Sequence, residues 1–201
     1  MKVAGEYHFD APPQEVWEAL LDPEVLAAIM PGCKKLELTG ENQYEGVMDM
    51  KVGPVQGRFQ GKVKLDNLDP PNGYSMRLDG QGASGFVKAT AKVAIAADGG
   101  GTKMDYDGDA QVGGRIASVG QRLLDSSSKA IIKQSLEGLN AQVVARSAAA
   151  AGEEVVAPEA PTQADFAREV AKEVAKDLVP KPVLIGGLIL VVILILLFFL
   201  L

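Results

Sequence analysis

The chain has 201 residues, 47% of them hydrophobic and 23% charged, with a formal net charge of −6. An acidic balance with no long basic run argues against nucleic acid as a partner. The lone cysteine, Cys33, excludes an internal disulfide and fits a reducing compartment.

The opening segment, MKVAGEYHFD, has no apolar h-region, so no secretory signal is expected. Lys2–Phe9 is predicted as a strand, and Asp10-Ala-Pro-Pro then leads into a short helix, Gln14–Leu21, with Val16, Trp17 and Leu20 available for burial. Asp22-Pro23 supplies an N-cap followed by proline at the first helical position, which starts a second short helix, Glu24–Met30. Pro31-Gly32 stops it. Strand patterns follow at 33–39, 43–52, 55–66, 73–82, 86–97 and 102–112, with Asp98-Gly-Gly-Gly101 as the plainest hairpin signal. Tyr74, Met76 and Leu78 alternate with Ser75, Arg77 and Asp79, and Val87, Ala89, Ala91, Val93 and Ile95 alternate with Lys88, Thr90 and Lys92. Such alternation predicts an antiparallel sheet with one wet and one apolar face.

A long helix, about Arg115–Arg146, is expected to close this domain, which spans residues 1–147. Its apolar stripe breaks near Ser126-Ser127-Ser128. Ile116, Val119, Leu123 and Ala130 share one side, and Ile132, Leu136, Leu139 and Val143 share another. The first half is expected to pack in the concavity of the sheet.

Residues 148–161 are rich in Ala, Glu and Pro and read as a flexible linker, reaching roughly 20 Å as a coil. Thr162 and Asp165 have capping-box spacing, and Phe166, Val170, Val174 and Leu178 recur every fourth residue, so 162–179 reads as an amphipathic helix that lies on headgroups, packs on the domain or serves as a spacer. Residues 183–201, VLIGGLILVVILILLFFLL, are uncharged and as long as a bilayer core about 30 Å thick requires. They are expected to form a single-pass C-terminal anchor in the cell (inner) membrane. Arg168, Lys172, Lys176 and Lys181 precede it, which puts the domain on the cytoplasmic side.

The inward face of the sheet is short of side chains. Alternation puts Gly5, Gly46, Gly61, Gly80, Gly82, Ala89, Ala91, Gly108 and Ala110 on it. Interiors fill to a packing density of about 0.75, so either the closing helix sits very near the sheet or a cavity remains. The large residues assigned to this side, Met30, Met48, Met50, Phe59, Tyr74, Met76, Phe86, Met104 and Tyr106, suit an irregular apolar ligand. The candidate pocket comprises Met30, Met48, Phe59, Tyr74, Met76, Phe86, Ala89, Met104, Tyr106 and Gly108, with Ile116, Val119, Gly120 and Leu123 from the helix.

Catalytic signals are sparse. His8, the single histidine, alternates onto the outer face, and Cys33 reads as a small buried hydrophobe. Asp105, Asp107 and Asp109 read as a solvated strand face rather than a calcium loop. Gly80, Gly82 and Gly85 have phosphate-loop spacing but lie between two strands. No catalytic residue, metal site or covalent cofactor is expected.

Several segments resemble a known family as a set. They are Val16-Trp17, Leu20, Asp22-Pro23-Glu24-Val25-Leu26, Met30-Pro31-Gly32-Cys33, Lys51-Val52-Gly53-Pro54-Val55, Gly57-Arg58-Phe59, Gly61, Pro70-Pro71, Tyr74 and the run Gly113–Arg122. With the order strand, two short helices, six strands and long helix, residues 1 to about 146 resemble the CoxG family of carbon monoxide dehydrogenase subunits, in the START-like (SRPBCC) helix-grip superfamily. Met30 stands where isoleucine is commoner in that family. The resemblance implies an α+β fold in which a curved antiparallel sheet of about seven strands wraps a long C-terminal helix. It also implies a non-catalytic accessory of molybdenum CO dehydrogenase and a hydrophobic small molecule held between sheet and helix.

Three functions follow as expectations. The first is a tethered carrier of a bilayer lipid, most plausibly a respiratory quinone (menaquinone or ubiquinone). The second is a passive anchor that recruits the enzyme to the membrane. The third, a small-molecule enzyme, lacks an inward pair of acidic or histidine side chains.

Overall fold

The computed structural model describes residues 1–150 and 162–178. The expected anchor at 183–201 and most of the expected linker lie outside the described residues. Among the described residues, no helix is long and apolar enough to cross a membrane.

Strand β1, Lys2–Phe9, is followed by two short helices, α1 (Pro13–Leu21) and α2 (Pro23–Ile29). Six strands follow in order: β2 (Cys33–Gly40), β3 (Gln43–Val52), β4 (Val55–Asp69), β5 (Gly73–Gly82), β6 (Gly85–Asp98) and β7 (Gly101–Gly113). They form one seven-stranded antiparallel sheet in the order β1-β7-β6-β5-β4-β3-β2. Each neighbour from β2 to β7 is joined by a tight connection, and β1 closes the far edge against β7.

The short helices are set by the chemistry of their ends. The Asp22 carboxylate accepts from the Glu24 and Val25 amides at 2.9 and 3.3 Å, and Pro23 needs no partner for a missing N–H. Arg146 donates to the other Asp22 oxygen at 2.8 Å, which ties the corner between α1 and α2 to the long helix. Partial burial pushes the Asp22 carboxyl up, but the Arg146 guanidinium and the two amides outweigh it and hold the group below its ordinary value.

The predicted single helix from Arg115 is two elements. Residues Arg115–Val119 form a 3₁₀ turn, and helix α3 runs from Gln121 to Ala150. Gly120 lies between them at φ +91°, a conformation that breaks helical continuity and that glycine adopts without strain. This break also reverses the expected packing. Leu136, Leu139 and Val143, from the second half of α3, enter the main core with Phe9, Val16, Trp17, Val25, Ile29, Tyr44, Tyr74, Ile95 and Met104. Ile116, Val119 and Leu123 instead pack with Val52 and Phe59 in a smaller, separate cluster at the other end of the sheet. Ala130 is fully buried but belongs to neither cluster.

Helix α4 (Gln163–Leu178) opens with the expected reciprocal cap. The Thr162 amide donates to Asp165 Oδ2 at 3.1 Å, and the Asp165 amide donates to Thr162 Oγ1 at 3.2 Å. The helix packs on α3, burying Phe166, and Glu169 accepts from Lys133 of α3 at 2.5 Å and from Lys172 at 3.2 Å. Of the roles open to this helix, the structure shows packing on the domain.

Leu139 is 1% exposed at the centre of the main core. Leu139→Ala is expected to cost about 2–5 kcal/mol, read from the denaturant midpoint at constant slope. Burial pushes the Tyr74 hydroxyl from 10.0 up to about 12, with the Tyr44 hydroxyl adding to it. The folded chain therefore keeps a proton that the unfolded chain releases. Stability is full below pH 10 and declines toward pH 12, by roughly 1 kcal/mol per pH unit. Denaturant midpoints taken on either side of pH 10 should show that decline in the native protein and a shallower one in Tyr74→Phe.

Candidate functional site

The inward face of the sheet is arranged in cross-strand rows. One row runs Gly46, Gly61, Gly80, Val87, Val112 from β3 to β7, and the next runs Tyr44, Val63, Leu78, Ala89, Ala110. The glycines differ in what occupies the space over them. A Cβ on Gly5 would strike the Tyr106 ring, and one on Gly46 would meet Leu36 Cδ1 at 3.0 Å, so neighbouring side chains already fill those gaps. A Cβ on Gly61 would meet only backbone of β5, no nearer than 3.9 Å, and one on Gly80 only the Val87 carbonyl oxygen at 3.6 Å. No described helix reaches either position. Of the two ways to explain the small residues, close approach of the helix fails at Gly61 and Gly80, where a Cβ would make only ordinary contacts with neighbouring strands.

The burial pattern agrees. Val87, Ala89, Ala91, Val93, Ala110 and Val112 all point inward yet are only half-buried. Leu78, Ala89 and Ala110 belong to neither apolar cluster. A floor of small apolar side chains therefore lies between the main core and the smaller cluster.

The sequence-selected residues divide over this framework. Met30, Tyr74, Met76, Met104 and Tyr106 belong to the main core or pack on it. Phe59, Ile116, Val119 and Leu123 form or flank the smaller cluster. Met48, Ala89 and Gly108 lie on the inward face between them. Gly120 is exposed at the start of α3. Phe86 is a correction: it pairs with Gly113, shares the outward parity of Lys88 and is 40% exposed. The strand begins one residue earlier than expected, at Gly85, and the inward series starts at Val87. The set thus frames a floor from two ends rather than lining one closed pocket.

A groove of about 470 Å³ opens at the β1 edge between the sheet and α3. Val3, Tyr7, Tyr106, Ile132 and Leu136 give it an apolar side, while Gln121, Asp125, Ser128, Lys129 and Lys133 give it a polar one. Sequence reasoning missed these polar residues. Their signal is helical spacing: 125, 129, 132 and 136 recur at steps of three and four, on the face that also carries the core leucine. Burial pushes the Tyr7 and Tyr106 hydroxyls above their ordinary value, with Glu137 and Asp10 adding to the effect at Tyr7. Both are neutral hydrogen-bonding groups at neutral pH. An apolar groove with a few polar groups on one wall suits a ligand with a hydrocarbon body and a small polar head.

Conventional catalytic or metal constellations are not seen among the described residues. His8 Nδ1 lies 3.4 Å from Asp98 on the exposed face, and no group of three metal-ligating side chains converges. Asp105 and Asp109 each face a lysine on that surface, Lys103 and Lys2.

The open floor generates a discriminating pair of variants. Gly61→Leu adds a side chain at a half-buried position where a Cβ would meet nothing nearer than 3.9 Å, and should change the melting temperature little while reducing uptake of an apolar ligand. Gly108→Leu drives a Cβ to within 2.6 Å of the Thr90 carbonyl oxygen and 2.9 Å of Ala91 Cβ, and should destabilise the sheet whether or not a ligand binds. Thermal melts and ligand-binding titrations separate the two.

Comparison with solved structures gives the same architecture. A conserved protein from Geobacillus kaustophilus superposes with a TM-score of 0.69 at 28% identity, over 72% of this chain and 95% of that one. A Thermus thermophilus protein gives a TM-score of 0.57 at 18% identity, over 73% and 99%. An aromatase/cyclase from a Streptomyces species gives 0.56 at 16% identity, over 75% and 97%. The last two likenesses concern the fold, the helix-grip architecture. No curated protein sequence matches the chain. The model of the CoxG family of carbon monoxide dehydrogenase subunits matches residues 5–144, so the chain belongs to the CoxG family.

Proposed function

We propose that this protein is a non-catalytic, membrane-tethered carrier that lodges a respiratory quinone between its sheet and α3 and presents it to a molybdenum CO dehydrogenase. The observation that carries this reading is the inward floor of Val87, Ala89, Ala91, Ala110 and Val112, which no element fully covers, with room for a Cβ at Gly61 and Gly80. An apolar floor left partly uncovered costs packing energy, which a bound hydrocarbon would return. At the β1 edge, the groove between the sheet and α3 adds a polar wall suited to a head group.

Membership of the CoxG family points to CO dehydrogenase as the partner. The uncharged run 183–201 supplies the tether, placing the domain on the cytoplasmic side of the cell membrane beside the pool of isoprenoid lipids. The quinone is cargo rather than a resident cofactor: the domain binds, shields and orients it, and the enzyme carries out the electron transfer. The Trp17–Tyr74 pair, edge to face at 5.9 Å, belongs to the supporting core rather than to chemistry.

Mass spectrometry of an organic extract from the detergent-purified full chain is expected to return menaquinone or ubiquinone in stoichiometric amount. Adding that quinone to stripped protein should quench Trp17, the only tryptophan. An extract free of isoprenoids, with no quenching, leaves recruitment of the enzyme without ligand transfer as the surviving reading.

A further inference from the structure

Three loops meet at the end of the sheet that carries the smaller apolar cluster. They are the turn between β3 and β4, the turn between β5 and β6, and the 3₁₀ segment leading into α3. Ser84 Oγ donates to the Gln56 carbonyl at 3.0 Å, and the Ile116 amide donates to the Ser84 carbonyl at 2.8 Å. Gly53 leaves so little room that an added Cβ would lie 2.8 Å from Leu123 Cδ2. The loops are thus fixed to one another.

Their charge is one-sided. Residues 51–57, 82–86 and 113–124 include Lys51, Arg115 and Arg122 and not one Asp or Glu, in a chain whose net charge is −6. All three cations are exposed, and none makes an ion pair among the described residues. Elsewhere on the sheet, cations are matched across neighbouring strands, as in Lys62–Glu45, Arg77–Asp66 and Lys88–Asp79. Arg122 also occupies the first turn of α3, which holds no acidic side chain although the helix dipole favours one there. At the same end of the sheet Phe86 is 40% exposed on the outer face, with its ring against Gly113 two residues before Arg115.

We infer that this end of the domain is a docking surface for an acidic patch on a partner protein, carried by the exposed cations Arg115, Arg122 and Lys51 of the joined loops, with Phe86 exposed on its outer side. Arginine and aromatic side chains are enriched where protein partners gain most of their affinity. A lipid surface fits less well. Three cations contribute only about 1 kcal/mol each toward anionic headgroups, and the net acidic chain opposes the approach. The surface rests on the reading above only in needing a protein partner, and it does not depend on what the cavity holds.

The test uses the full chain in phosphatidylcholine nanodiscs and purified molybdenum CO dehydrogenase as the probe. The unaltered chain should bind with an affinity that falls steeply with salt. Arg115→Glu combined with Arg122→Glu should weaken binding tenfold or more and flatten the salt dependence, while Lys92→Glu, on the outer face of β6, should not. Circular dichroism checks folding. If the glutamate pair does not fold, Arg115→Gln with Arg122→Gln should still weaken binding several-fold. Unchanged affinity in the arginine variants overturns the docking surface and leaves the accessory reading standing. No binding by the unaltered chain sinks both. Hydrogen-exchange protection of residues 113–122 on replacing phosphatidylcholine with phosphatidylglycerol, without enzyme, would make this a lipid face and overturn the proposal.

Discussion

One helix cannot cover seven strands. Neighbouring strands lie about 4.8 Å apart, so a seven-stranded sheet is roughly 29 Å wide, whereas a helix with its side chains is about 10–12 Å across. Helix α3 spends its leucine face at one end of the strands, where Phe9, Tyr44, Leu65, Tyr74, Ile95 and Met104 of six strands meet α1 and α2. The 3₁₀ segment and the start of α3 close the other end. What lies between has to be filled by large side chains, by curvature or by something else. The central rows set Gly61, Gly80, Ala89 and Ala110 among Val63, Leu78, Val87 and Val112, so their side chains fill it only in part. The open floor follows from geometry and composition together, and the carrier reading depends on it.

The opposite face of the same sheet has a different logic. Its ion pairs mostly join adjacent strands: Lys103 with Glu6, Arg58 with Asp49, Arg77 with Asp66, Lys62 with Glu45. Exposed pairs of this kind add at most about 1 kcal/mol each, so they are a minor part of stability. They do oppose slippage, because a shift of one residue would turn every charged side chain inward. That matters most where the inward face is glycine and alanine and offers little packing to hold register.

Much of this architecture was legible in the chain. The first strand, Lys2–Phe9, was readable to its ends because Asp10 and two prolines follow, and the inward small residues were readable from alternation alone. The division of the long helix was not. Ile116, Val119 and Leu123 fit a helical period, and only the left-handed backbone at Gly120 shows that they belong to a separate turn. Phe86 faces outward because strand parity, not hydrophobicity, sets its side. Its ring rests on Gly113, a cross-strand contact that only the register reveals. The polar wall of the edge groove escaped notice because Asp125, Lys129 and Lys133 look like an ordinary solvated helix face until the sheet edge is set beside them.

Helix α4 changes the mechanics of attachment. Residues 148–161 read as a leash when taken alone, but α3 continues through Ala150 and α4 returns to α3, with Phe166 buried and Glu169 gripped by Lys133. The segment therefore closes a loop between two helices that touch, and its length costs only slowly growing closure entropy. For the tether proposed above, the stretch of chain left between the docked helix and the run 183–201 is the four residues 179–182, a reach of at most about 14 Å. A short connection from a docked helix restricts tumbling as well as distance. A carrier tethered in the proposed way would meet a bilayer in a narrow range of orientations, so the mouth of its groove would be aimed as well as kept near.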